Sequence, residues 1–214
     1  MKTKKLIQKK IAILGILLSV FGFSIGIREA QAATATYGVT LQTNVQEVIT
    51  LTCDSATVNL GNLTPGTPVT GTSVCTGTTN ANGGYNLAVL RNDATTTMDK
   101  TTDQTVDITD KTTWDPTASA GAGNAVTWAG TGLGFTVFAS TANKSTTWWG
   151  TGTTVTDANN KYAGFPVAYA NIMSYTSYSA ASTTTSIGYK LDVPSTQKSG
   201  AYDGIITYQA TSTP

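Results

Sequence analysis

From about residue 34 onward the chain is built of short runs in which apolar and polar residues alternate, broken by Gly, Pro, Asn and Asp. Alternation with a period of two places every second side chain on one face of a pleated strand, so the pattern predicts an antiparallel β-sandwich. Tyr37, Val39 and Leu41 share a face of the first run, and Ile49, Leu51 and Cys53 share a face of the second. Val58 and Leu60 precede a Thr64-Pro65-Gly66-Thr67-Pro68 turn, and a run from Val69 to Cys75 follows it. Asn82-Gly83-Gly84 is a turn signal leading into Tyr85, Leu87 and Val89. Alternation returns at 125–128 and at Leu133, Phe135 and Val137. It is most regular at Ile187, Tyr189, Leu191 and Val193, and a last strand presents Tyr202, Ile206, Tyr208 and Ala210.

Two stretches interrupt this rhythm. Residues 92–123 are polar, with Met98, Val106, Ile108 and Trp114 as their apolar anchors. A structureless loop of that length is uncommon in a compact domain, so part of it is expected to pair as an extra hairpin. Residues 140–183 hold most of the aromatics, among them Trp148, Trp149, Tyr162 and Phe165, and the segment from Phe165 to Tyr175 is read as room for one short helical turn.

The first 32 residues are set apart by composition. Lys2, Lys4, Lys5, Lys9 and Lys10 form a basic start, Ile11 to Ile27 is apolar, and Ala30-Gln31-Ala32 is a small-x-small cleavage signal. This predicts a secretory signal peptide over 1–32, an exported domain over 33–214, and an extracellular or cell-surface location. An uncleaved N-terminal anchor is the alternative, because the apolar run has nearly the length of a membrane span.

Without the leader, seven basic and eleven acidic groups remain, net −4, and the few cations are scattered. Phosphate backbones need clustered Lys and Arg, so nucleic-acid binding is excluded. The exported part is rich in Thr, Ser, Gly, Ala and Asn and poor in good helix formers, which agrees with a β fold. It contains no histidine and one glutamate, Glu47, so the commonest general base and the Ser-His and Cys-His couples are missing. The reading is therefore non-enzymatic, with no catalytic residues and no cofactor. Cys53 and Cys75 are the sole cysteines, and in an oxidising compartment they are expected to form a disulfide. Two cysteines without histidine do not make a zinc site of the usual kind.

The order of several motifs resembles a known family. Val58-Asn59-Leu60-Gly61 stands before the Pro/Gly turn, Ser73-Val74-Cys75-Thr76 carries the second cysteine, and Gly84-Tyr85-Asn86-Leu87-Ala88-Val89 comes next. Near the end, Val193-Pro194 leads through Gln197 to Ser199-Gly200-Ala201-Tyr202-Asp203-Gly204-Ile205-Ile206-Thr207-Tyr208. Together they resemble the spore coat protein U and chaperone–usher pilin type of secreted domain and, more distantly, the WxL surface domains. The resemblance covers roughly residues 34–91 and 185–210. Gly204 stands where that family's turn has an acid, no Trp-x-Leu tripeptide is present, and both insertions are long for it.

The resemblance implies an immunoglobulin-like antiparallel β-sandwich, here with two long polar loop insertions, acting as a pilus- or coat-type structural or adhesive subunit. It also implies self-association, or association with other surface proteins, by β-strand addition, in which an N-terminal segment fills the open edge of the next subunit. Tyr37, Val39 and Leu41 are the candidate donor residues. The competing placement, preferred because consecutive strands usually neighbour each other, folds the same segment back as this domain's own first strand.

Three further groups carry side chains suited to ligand chemistry. Trp148 and Trp149, flanked by Thr147 and Gly150, either stack on sugar rings, as in a carbohydrate-binding module, or pin the insertion onto the sandwich; alternation favours one ring in and one out. Asp99, Asp103, Asp107 and Asp110 gather oxygen ligands, but their spacing does not match a regular calcium loop, and the reading is a solvated loop with no metal. Lys190 falls on the face opposite Ile187 and reads as a solvent-facing lysine.

Overall fold

A computed structural model describes residues 33–142 and 144–214; the leader expected over 1–32 lies outside the described residues. The chain divides after Asn44 into two units. Residues 33–44 carry no helix or strand, and every one of them is exposed. The unit that begins at Val45 holds the sandwich.

Its strands in chain order are β1 (Ile49–Cys53), β2 (Val69–Thr79), β3 (Tyr85–Arg91), β4 (Met98–Lys100), β5 (Asp103–Ile108) and β6 (Val126–Thr127). They continue with β7 (Gly132–Ser140), β8 (Lys161–Tyr162), β9 (Ala170–Tyr175), β10 (Ser179–Asp192), β11 (Tyr202–Asp203) and β12 (Ile206–Ser212). Two single turns interrupt them: α1 (Ala118–Gly121), in which Ser119 and Ala120 are left-handed, and the helical turn α2 (Thr146–Trp149).

One sheet has the order β1-β2-β10-β7 and the other β12-β3-β9, all neighbours antiparallel. The alternation predicted from sequence sets their facing sides. Ile187, Tyr189 and Leu191 of β10 lie opposite Val137, Phe135 and Leu133 of β7, and all six are buried. Tyr85, Leu87 and Val89 of β3 supply the other layer. Packing two such faces removes apolar surface from water, which is the main force holding a fold of this kind together.

The first insertion contains the expected hairpin, β4 with β5, and β11 joins it as a third strand. The second is more than a loop. Ala170–Tyr175 is strand β9, paired with β3 in the second sheet, and not the short helical turn expected there. The register slips between Leu87 and Ala88, which breaks the alternation of Ala-Asn-Ile-Met-Ser-Tyr so that Ile172 and Met173 are both buried. Two sequence runs are not strands. Tyr37, Val39 and Leu41 lie in the exposed unit, and Val58 and Leu60 leave the sheet to pack against the inner side of β2 at Gly71.

Cys53 and Cys75 are cross-strand partners and form the expected disulfide between β1 and β2.

Candidate functional site

The two lateral sides of the sandwich are finished differently. On one side the insertions cover both edges. Ala163 pairs with Phe135 of β7 through reciprocal backbone hydrogen bonds of 2.8 and 3.1 Å. On β9, the indole N–H of Trp114 donates to the Asn171 carbonyl at 2.8 Å, and that of Trp149 to the Ile172 carbonyl at 2.9 Å. Two indoles thus occupy consecutive carbonyls, and an edge that would be free to pair is blunted.

The other side has no covering strand among the described residues, although β1 and β12 approach each other there and the Ser212 hydroxyl donates to Glu47 Oε2 at 3.0 Å. Ile206, Tyr208 and Ala210 of β12 stand opposite Arg91, Val89 and Leu87 of β3, all buried, and directly opposed residues share a face. They therefore point inward, yet each is only half-buried. The same holds on β1, where Ile49 and Leu51 oppose Thr79 and Gly77, which are buried, but remain half-exposed themselves. Val58 and Leu60 are half-buried in the same way. Neither β1 nor β12 has a strand on its outer edge among the described residues. An apolar seam flanked by unpaired backbone is a template for strand addition.

The sequence-predicted donor residues are exposed. Tyr37 is 92% exposed, Val39 72% and Leu41 92%. Val45 and Val48 continue the apolar series and are also exposed.

Trp148 and Trp149 sit on α2, whose first turn is capped by the Ser145 hydroxyl accepting from the Trp148 N–H at 3.2 Å. Trp149 is fully buried between Trp114, at 4.4 Å between ring centres, and Phe135, at 5.1 Å. Trp148 is half-buried, meets Trp114 edge-on at 5.3 Å, and donates its indole N–H to the Gly121 carbonyl at 2.7 Å. One ring is in and one is at the surface, as the alternation suggested, although a helical turn and not a strand separates them. Ser145, Trp148, Met173 and Ser174 line a recess of about 150 Å³.

The four aspartates of the first insertion do not form one cluster. Asp99 faces Asp107 across β4 and β5, and desolvation, followed by the charge of Asp99, raises the Asp107 carboxyl above the usual range. Asp103 turns back to accept from Thr105, which lowers its own. Asp110 is buried against Arg91. Among the described residues no group of three or more acids or cysteines is arranged to hold a metal ion. Lys190 lies on the outer face as expected, but it is half-buried beside Trp128 and Tyr162 and does not simply face solvent. Local alternation carries no signal for this contact, because Trp128 arrives from a distant segment.

No protein-family model matches this sequence, and no curated protein matches it significantly.

Proposed function

We propose that the chain is a non-enzymatic structural or adhesive subunit of the cell exterior, which assembles by inserting residues 33–45 of one copy into the open β1/β12 side of another. The sandwich is then immunoglobulin-like, of the spore coat protein U or pilin type, and residues 1–32 are a cleaved export signal. One observation carries this reading: an exposed segment with alternating apolar side chains coexists with a sandwich whose inward-facing Ile206, Tyr208 and Ala210 remain half-exposed. An added strand satisfies β12's unpaired backbone and buries Tyr37, Val39 and Leu41 together with that stripe. The Cys53–Cys75 bond supports an oxidising location.

The test is electron microscopy of purified residues 33–214. Fibres or regular oligomers that vanish when residues 33–45 are deleted support the subunit role; a chain that stays single at every concentration contradicts it.

A second reading is supported by the recess beside Trp148. A half-exposed indole edged by Ser145 and Ser174 suits the face of a sugar ring, so the chain is alternatively a carbohydrate-binding module. Glycan-array binding lost in Trp148→Ala, with the fold intact, favours this reading; an unaltered profile removes it.

A further inference from the structure

On the outer face of the first sheet, four side chains from four separate segments converge. Lys111 follows β5, Trp128 follows β6, Tyr162 belongs to β8 and Lys190 to β10. The Lys111 ammonium lies 4.1 Å from the centre of the Trp128 ring, and that of Lys190 lies 5.1 Å from the same ring and 5.6 Å from Tyr162. Tyr162 meets Trp128 edge-on at 5.3 Å. The space for this comes from Gly134, the cross-strand partner of Lys190, where a Cβ would stand 2.9 Å from Lys111 Cγ and 3.3 Å from Tyr162 Cβ.

Two cations held over one indole repel each other, and the cation–π attraction of each offsets only part of that cost. Lys111 spends two of its protons on the Ala129 and Thr131 carbonyls, at 2.6 and 2.7 Å. Lys190 has no hydrogen-bond acceptor among the described residues, and neither lysine has a carboxylate within ion-pair distance. Burial lowers both ammonium pKa values, and for Lys111 the charge of Lys190 adds to the effect while Asp192 opposes it. In a chain whose exported part is net negative, this is a local positive site with spare donors, balanced only by the more distant charge of Asp192.

We propose that Lys111 and Lys190 bind the oxyanion of an acidic saccharide, a uronate carboxylate or a sugar phosphate, with Trp128 and Tyr162 holding the ammoniums in place. Exposed Thr131, whose carbonyl holds Lys111, borders the site. The proposal is independent of the strand-addition reading, since it uses the opposite face of the sheet.

Titration of the purified chain, followed by tryptophan fluorescence and calorimetry, tests it with four probes: trigalacturonate, glucose 6-phosphate, neutral trigalactose and inorganic phosphate. Saturable binding of either acidic sugar is expected, and which one binds identifies the source of the anion. Affinity is expected to fall at least about fivefold in Lys190→Gln and to weaken with added salt, because a charge-assisted contact is lost or screened. Lys190→Arg, which keeps the charge, is expected to retain most of the binding. Equal binding of trigalactose, equal binding of inorganic phosphate, no binding by either acidic sugar, or an undiminished affinity in a folded Lys190→Gln variant would each overturn the proposal.

Discussion

The guanidinium of Arg91, at the end of β3, donates to Asp110 Oδ2 at 2.8 Å, and both side chains are more than nine-tenths buried. The same oxygen accepts from the Thr97 N–H and hydroxyl, while Arg91 also reaches the Phe165, Asp93 and Ala94 carbonyls. This one pair therefore ties both insertions to the sandwich. Removing one partner leaves a buried charge uncompensated, and Arg91→Ala is expected to cost about 3–5 kcal/mol in urea unfolding. A loss under about 1 kcal/mol would show that the pair is not a fastening point.

Asp110 also predicts a pH dependence. Its Oδ1 is buried without a partner, and burial pushes the carboxyl up to about 6 despite Arg91 and Thr97. A carboxyl whose folded pKa lies above its unfolded value favours the folded state when protonated. Its contribution is thus complete below about pH 4 and is lost as pH rises to about 6, by up to roughly 3 kcal/mol. Asp93, Asp103, Asp115 and Asp157 are lowered, by hydrogen bonds from neighbouring residues, and act in the opposite sense at more acid pH. Asp110→Asn should flatten the decline between pH 4 and 6 in urea midpoints; an unchanged slope would assign it to another group.

Tyr85 of β3 packs closely onto Gly77 of β2 across the core. Its hydroxyl shares a 2.6 Å hydrogen bond with Thr183 and lies where a Cβ on Gly77 would be only 2.4 Å away. Its ring stacks on Tyr175 at 4.7 Å, and burial raises its pKa to about 12. Gly77→Ala must displace the ring, at an expected cost of about 1–3 kcal/mol in thermal unfolding. An unchanged melting temperature would mean that the ring has room to move.

The two tryptophans of α2 should separate stability from surface chemistry. Trp149→Ala is expected to cost about 3–5 kcal/mol, since it empties a site walled by Trp114 and Phe135. Trp148→Ala, half-exposed, should cost clearly less. Equal losses in chemical denaturation would contradict this division of roles.

The parts of the fold that sequence made legible are those where one face is wholly buried. From Ile187 to Leu191 and from Tyr85 to Val89, each alternate residue meets the core, so the period of two survives intact. β9 was hidden because its register slip puts Ile172 and Met173 both inside. Tyr37 to Leu41 shows the converse: alternation records a fitness to pair, not the chain with which a segment pairs. The open side was not readable either, because Ile206, Tyr208 and Ala210 have an ordinary inward pattern. They are half-covered where the short β1 has no strand beyond it among the described residues. Disulfide chemistry needed no such context, since two cysteines have a single intramolecular pairing.

The Cys53–Cys75 bond fastens that short edge strand to β2 across a sequence separation of 22 residues. Reduction is expected to lower stability by about 3 kcal/mol, on the loop-closure estimate. Comparing melting temperatures with and without a phosphine reductant checks this, and coincident curves would show that β1 holds without the bond.

Strand addition itself is tested most directly by mixing a labelled peptide of residues 33–45 with the chain lacking those residues and measuring fluorescence anisotropy. Saturable binding is predicted, lost when Tyr37, Val39 and Leu41 of the peptide are changed to Asp and weakened by Tyr208→Asp in the acceptor. A peptide that stays free at every acceptor concentration, or that binds equally after the Asp changes, contradicts the account.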